Sequence, residues 1–182
     1  MLTPAAARQL AAYNRWMNDK LYQAAASLPD EVLHAESGAF FGSLFGTLSH
    51  IVVGDTVWLR RFASLPFGAD VLQPLLAWPQ PAALDARPAA NLAELAALRQ
   101  QLDSYIEQWA ATLDERVLAK DLAYHSMRGD ACVKALGGVL LHFFNHQTHH
   151  RGQASTLLSQ AGVDVGVTDL LVLLPDTAAH RN

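Results

Sequence analysis

Residues 142–153 read HFFNHQTHHRGQ, and this stretch holds four of the eight histidines of the chain. On an α-helix, residues three or four apart lie on one face, so His142 can pair with His146, and His146 can pair with His149 or His150. Two imidazoles at such a spacing can bind one metal ion. The spacing predicts a metal-binding helix but does not choose among these pairs.

The apolar residues around this stretch favour one pair. The helix is predicted to run from about Val133 to Gln160, with Gly162 ending it. Its apolar side chains recur at steps of three and four, at Val139, Phe143, Ala154 and Leu157. His146 and His150 continue that line into the protein, whereas His142 and His149 lie toward its edges. An inward-facing imidazole pair is costly without a partner, and a metal ion is one suitable partner.

A third ligand is expected from another helix, because catalytic zinc sites commonly use three protein ligands and leave one position open. His50 is the best candidate, since its neighbours one turn away, Gly46, Thr47 and Gly54, are small and leave room for an ion. A hydrogen-bonded packing role is the alternative for His50. Asp55 is expected either to orient a ligand histidine through its second ring nitrogen or to have a surface or capping role.

The rest of the chain predicts three more long helices with recognisable starts and stops. Their predicted bounds are Thr3 to Pro29, Ser43 to Ala63, and Asn91 to Leu113. The apolar stripes of the first and third are Leu10, Tyr13, Met17, Leu21 and Ala24, and Leu95, Leu98, Leu102, Tyr105 and Trp109. Residues 64–90 are rich in proline and predict a long connection, and residues 117–134 predict a small hairpin. A single all-α domain over residues 1–182, built as a four-helix bundle, is therefore expected.

Composition and charge exclude several classes of function. Charged residues make up 16% of the chain, below the roughly 25% of typical soluble domains, so much of the surface is expected to be buried or in an interface. A net charge of −4 with scattered lysines and arginines argues against nucleic-acid binding. Cys132 is the single cysteine, which excludes a disulfide framework and favours a reducing cytoplasm. We expect no membrane segment and no signal peptide.

Three segments of the sequence resemble the DinB family of damage-inducible, metal-dependent proteins, which are distinct from the polymerase of that name. They read AAYNRWMN (11–18), FFGSLFGTLSHIVVGDTVWLRRF (40–62) and FFNHQTHHRGQ (143–153), and the resemblance extends from Ala11 to about Leu174. It implies an up-down-down-up bundle whose crossover is the connection at residues 64–90. It also implies a homodimer and a divalent-metal site, most often zinc or nickel. Carried onto this sequence, the ligands are His50, His146 and His150, with Ser49 where many relatives have asparagine.

Two functions are compatible with these residues and this resemblance. The first is a metal-dependent enzyme acting on a small molecule, either an S-transferase or isomerase that uses a low-molecular-weight thiol, or a hydrolase. Gln153 and Tyr13 are the further pocket residues expected, and no general base stands out.

The alternative is a non-catalytic stress-response protein in which the metal joins the second and fourth helices. A metal-free helical dimer with a polar pocket is a third hypothesis, and the lack of a fourth ligand favours the first.

Overall fold

The computed structural model describes residues 2–66 and 69–176, which are predominantly helical. In chain order the elements are α1 (Pro4–Ala25), α2 (Asp30–His34), α3 (Leu44–Ala63), a 3₁₀-helix (Asp70–Ala77), α4 (Leu92–Thr112), α5 (Glu115–Leu118), β1 (Asp121–His125), β2 (Ala131–Ala135), α6 (Leu136–Gln160) and a second 3₁₀-helix (Leu170–Leu173). The four long helices are the four that the sequence predicts. None of the helices in these ranges is long and apolar enough to cross a membrane.

The predicted helix caps are confirmed. The side-chain oxygens of Thr3, Ser43 and Asn91 accept hydrogen bonds from the backbone N–H groups of Ala6, Gly46 and Glu94, at 3.2, 3.1 and 2.9 Å. Each bond satisfies an N–H that the first helical turn leaves unpaired. At the other end of α6, Gly162 has a φ of 82°, which lets Val163 N–H donate to the Leu158 carbonyl at 2.9 Å and end the helix.

The small hairpin is also confirmed, and it shortens α6. Strands β1 and β2 pair antiparallel with Tyr124 opposite Cys132 and Leu122 opposite Lys134. Residues 131–135 are therefore in a strand, and α6 begins at Leu136 instead of the predicted Val133. Cross-strand partners lie on one face of a hairpin, so these four side chains share the face that carries the buried Leu122.

The long helices pack in a closed set of pairs. Helix α1 contacts α4 and α6, and α3 contacts the same two helices. Large side chains that are almost fully buried fill the space between them, among them Leu21, Leu48, Phe62, Trp109 and Phe143. The helical class is thus confirmed, while the up-down-down-up order of helix directions stays a prediction.

The buried faces of three helices differ from the predicted apolar stripes. Tyr13, Leu98, Tyr105 and Leu157 from those stripes are only partly buried. The fully buried positions beside them are polar: Asn14 and Asn18 on α1, Arg99 and Asp103 on α4, and Gln147 and Arg151 on α6. Each helix is therefore rotated about its axis, relative to the prediction, toward a polar interior.

These polar side chains form one hydrogen-bonded group in the interior. Together with Asp55 of α3, we call them the buried polar network: Asn14, Asn18, Asp55, Arg99, Asp103, Gln147 and Arg151. Asp55 Oδ2 accepts hydrogen bonds from Arg99 Nη1 at 2.5 Å and from Gln147 Nε2 at 2.7 Å. The second guanidinium nitrogen of Arg99, Nη2, lies 3.0 Å from Asp103 Oδ1. One arginine thus bridges two carboxylates.

Two asparagines extend the network to α1. Asn14 and Asn18 each donate to Asp103 Oδ1 at 2.9 Å, and Arg151 donates to the Asn14 side-chain oxygen. Burial raises the pKa of Asp55 and of Asp103, and the Arg99 guanidinium opposes both increases. The network contains two carboxylates and two guanidinium groups, so its formal charges balance within the protein.

Candidate metal centre

Three histidines converge beside the buried polar network. His50 projects from the middle of α3, and His146 and His150 project from successive turns of α6. The Nε2 atom of His50 lies 3.2 Å from the Nε2 atoms of both other rings. Zinc bound tetrahedrally to imidazoles at about 2.0–2.1 Å separates the nitrogens by roughly 3.3 Å. This histidine cluster, His50, His146 and His150, could therefore hold a metal ion.

Hydrogen bonds on the far side of two rings fix their tautomers. His50 Nδ1 lies 2.8 Å from the Leu84 carbonyl oxygen, and His150 Nδ1 lies 2.7 Å from Gln153 Oε1. Because these oxygens only accept, each Nδ1 carries the proton, and each Nε2 of a neutral ring presents a lone pair. The two Nε2 atoms face each other at 3.2 Å with no proton to share. A cation between them would relieve that repulsion.

Gly54 of α3 leaves the space that the imidazole ring of His146 occupies. A Cβ atom at Gly54 would lie 2.9 Å from His146 Cε1, so any larger residue at position 54 would displace the imidazole. The small residues around His50 thus have separate uses. Gly54 admits the ring of His146, while Gly46 admits the Phe41 carbonyl oxygen, which would lie 2.0 Å from a Cβ at position 46.

An aromatic side chain that the sequence did not single out covers one side of the cluster. The ring of Phe41 stacks on His50 with centroids 3.8 Å apart and planes 16° apart, and its centroid lies 5.5 Å from that of His150. The signal in the sequence is the pair Phe40-Phe41 directly before the Ser43 cap. Phe40 is 87% exposed beside it, so one ring of the pair packs and the other faces solvent.

Burial keeps the three imidazoles neutral. It is the largest cause that lowers the pKa of His50 and of His150, and it lowers the pKa of His146 to about 3, with smaller contributions from the neighbouring imidazoles. His50 is 4% exposed, and the other two are half-buried. Neutral imidazole is the form that binds a metal, so at neutral pH no proton has to leave before an ion binds.

The other histidines of the 142–153 segment lie outside the cluster. The ring centroid of His142 lies 6.0 Å from that of His146. The His142 ring packs edge-on against Trp58, with the two centroids 5.5 Å apart. His149 is exposed, with its ring centroid 4.8 Å from that of His150 and its Nε2 3.4 Å from Gln153 Nε2. Both follow the edge positions that the sequence predicts for them.

One expectation about a neighbouring residue is wrong, and one stays a prediction. Asp55 neither orients a ligand histidine nor lies at the surface, because it is fully buried and its Oδ2 accepts from Arg99 and Gln147. Tyr13 donates to the Thr168 carbonyl at 2.6 Å, and its place in a substrate pocket stays a prediction. His150 donates to Gln153, a residue that the sequence analysis expects near the site. His50 donates to the backbone of Leu84, which could not be identified from a side-chain pattern.

Comparison with known proteins identifies the family of the chain. The model of the DinB family matches residues 1–179. The chain belongs to the DinB family. It is also similar to Protein DinB of Bacillus subtilis (strain 168), with 27% identity over 158 residues that cover 86% of this chain and 87% of that protein. No solved structure matches the chain.

Proposed function

We propose that this DinB-family chain binds one divalent metal ion, zinc or nickel, through His50, His146 and His150, and that it is a metal-dependent enzyme. The observation that carries the proposal is the convergence of three imidazole nitrogens, in which His50 Nε2 lies 3.2 Å from the Nε2 atoms of His146 and His150, while acceptors behind the rings hold the Nδ1 protons of His50 and His150. Neutral packing histidines instead alternate donors and acceptors. Two acceptor nitrogens that are held 3.2 Å apart, as in His50 and His150, are arranged as the ligands of a metal ion are.

The number of ligands supports a catalytic ion over a structural one. Within residues 2–66 and 69–176, the group of donors that could hold an ion contains three histidines and no fourth side chain. Structural zinc sites are usually closed by four protein ligands, whereas catalytic sites keep a position for water or substrate. Moreover, Asp55 and Gln147 already join α3 to α6 by a hydrogen bond. A metal is not needed to link these helices.

The residues around the cluster have definable tasks in such an enzyme. A bound divalent ion would supply a Lewis acid that lowers the pKa of a water or thiol at its open position. The Leu84 carbonyl and Gln153 hold the Nδ1 protons of His50 and His150 and keep their Nε2 lone pairs directed inward. Phe41 covers the His50 ring and excludes water from that side.

The proposed reaction is transfer or isomerisation through a low-molecular-weight thiol, or hydrolysis, of a small molecule. We further propose a cytoplasmic homodimer of up-down-down-up bundles, as the family resemblance implies. These features are independent of the ligand assignment, and the experiment below tests the assignment alone.

Metal analysis of protein purified without a histidine tag tests the site. We expect about one divalent ion per chain in the wild type, strongly reduced in His146→Ala. His142→Ala is the matched control, because it removes an imidazole from the same helix outside the cluster and should retain the ion. An absence of metal in wild-type protein, even after reconstitution with zinc and with nickel, would overturn the proposal.

Chelation distinguishes the enzyme from the structural alternative. Removing a structural ion should lower the midpoint of urea unfolding strongly, since metal-binding free energy is then folding free energy. For a catalytic ion we expect the metal-free protein to remain folded, with a smaller change in midpoint. A metal-free chain that is unfolded by circular dichroism would favour the stress-response protein with a structural metal.

A further inference from the structure

A cleft lies between the C-terminal half of α3, residues 76–82 and the β1–β2 hairpin. Its volume is about 630 Å³, within the roughly 300–1,000 Å³ of typical small-molecule sites. Its polar lining includes Arg60, Arg61, Ser64, Gln80 and His125, and no aspartate or glutamate lines it. The cleft therefore has a basic character in a chain whose net charge is −4.

The two arginines that line the cleft have no acidic partner. Arg60 and Arg61 are half-buried in the last turn of α3, and neither lies within ion-pair distance of a carboxylate in the described part of the chain. Arg99, by contrast, is neutralised by Asp55 and Asp103. The two half-buried guanidinium groups therefore leave positive charge in the cleft that no carboxylate of the described chain offsets.

Both guanidinium groups are held in place before any ligand binds. Arg60 Nη1 lies 2.7, 2.9 and 2.6 Å from the carbonyl oxygens of Leu75, Leu76 and Trp78. Its Nε is buried without a partner. The carbonyls and the C-terminus of α3, equivalent to about half a negative charge, offset only part of two full positive charges.

Arg61 is fixed by aromatic rings. Its guanidinium carbon lies 4.5 Å from the Trp58 ring centroid and 4.8 Å from the Tyr124 ring centroid, and its Nη2 donates to the His125 carbonyl at 2.9 Å. Stacking of this kind leaves the edge of the guanidinium, with its N–H donors, free to bind an anion in two-pronged fashion. The arrangement is preorganised, so little side-chain entropy is lost on binding.

We infer that this cleft binds the anionic group, a carboxylate or a phosphate, of a small molecule. Tyr124 also lines a second cavity of about 310 Å³, together with Trp58 and His142. The ring of His142 is in turn 6.0 Å from that of His146. The rings of Tyr124, Trp58, His142 and His146 thus pack against one another in turn between the cleft and the histidine cluster.

Calorimetric titration of metal-free protein with two probes tests the inference. Inorganic phosphate and malonate represent the two anion classes, and malonamide is the neutral control, all at constant ionic strength. Metal-free protein is used because both anions can coordinate a metal. We expect saturable binding of at least one anion at about one per chain and no binding of malonamide.

One substitution removes the proposed site without removing either arginine. Gln80→Glu places a carboxylate of similar shape on the exposed rim of the cleft, and it should weaken anion binding by roughly tenfold or more through repulsion and competition for the arginines. Arg61→Gln should have the same effect. Arg116→Gln is the control, because this arginine is exposed on α5, away from the cleft, and carries the same change in net charge as Arg61→Gln.

The outcomes separate this inference from the metal proposal. Phosphate binding or malonate binding that is lost in Gln80→Glu supports the inference and identifies the class of anion. Failure of both anions to bind, or binding that Gln80→Glu and Arg61→Gln leave unchanged, overturns it. The titrations use metal-free protein, so their result does not depend on the metal site. Anion binding would support the inference even if metal analysis of the wild type finds no ion. Its absence would overturn the inference even if the wild type binds one ion per chain.

Discussion

The histidine cluster and the buried polar network share helices α3 and α6, yet they differ in where their partners come from. In the network, Asp55 and Asp103 face Arg99, and each charge is offset by another charge of the same chain. In the cluster, the Nε2 atoms of His50 and His150 face each other as acceptors. A polar group whose charges are paired within the chain stabilises the fold, whereas acceptors that face each other without a cation are suited to bind a ligand.

Removal of Arg99 should have the largest effect on stability. Arg99→Met leaves Asp55 and Asp103 buried without their cation, and we expect unfolding free energy to fall by about 3–5 kcal/mol in urea titrations. The matched control is Arg15→Met, whose half-exposed pair with Glu107 should contribute at most about 1 kcal/mol. A loss in Arg99→Met no larger than that in the control would contradict a self-contained network.

Zinc should stabilise the cluster by mass action and leave the network unaffected. At a free zinc concentration of about 100 times Kd, wild-type protein should gain roughly 2.7 kcal/mol of unfolding free energy. His146→Ala should gain much less, because two ligands hold an ion poorly. Urea titrations with and without zinc measure the difference, and an equal gain in both proteins would place the ion elsewhere.

Gly54→Ala should separate metal affinity from stability. Alanine favours a helix over glycine by about 1 kcal/mol, while the new Cβ would press on His146 Cε1. We expect unfolding free energy to change little and zinc affinity to fall by roughly tenfold or more. Gly138→Ala on α6 meets no atom within 4 Å, so it should stabilise the fold without changing affinity. Equal affinities in the two variants would show that His146 tolerates the shift.

The pH dependence of the metal-free protein tests the neutral state of His146. The pKa of His146 is about 3 in the folded chain, against roughly 6.5 in the unfolded chain. Between these values the unfolded chain binds a proton that the folded chain does not, so stability falls as the pH is lowered from 7 toward 4. The thermal midpoint of His146→Asn should decrease less over this range. The carboxyls of the network titrate in both proteins, so an identical decrease would contradict a neutral, buried His146.

Local chemistry made much of the fold predictable. Caps at Thr3, Ser43 and Asn91 depend on atoms three residues away, and the sequence shows both partners of each bond. The same holds for histidines one helical turn apart, which placed His146 and His150 side by side. His50 could be proposed because its small neighbours are also local in sequence.

The polar interior could not be predicted from a single helix. Asn14 is 89 residues from Asp103, and Gln147 is 92 residues from Asp55. Taken alone, each of these polar residues is typical of a solvent-exposed helix face, because its burial is favourable only once the distant partner is in place. For the same reason Phe41 and the Leu84 carbonyl, which reach the histidine cluster from loops, could not be derived from periodicity.

The hydrogen bond from His50 to the Leu84 backbone has a consequence for sequence variation among relatives. A main-chain oxygen is supplied by any amino acid, so the side chain at position 84 is free to change. The number of residues between Trp78, whose carbonyl oxygen accepts from Arg60, and Leu84 should change less, since an insertion there shifts the Leu84 oxygen relative to His50 unless the loop bulges. Relatives that keep the metal centre should therefore conserve the length of this loop while its composition drifts.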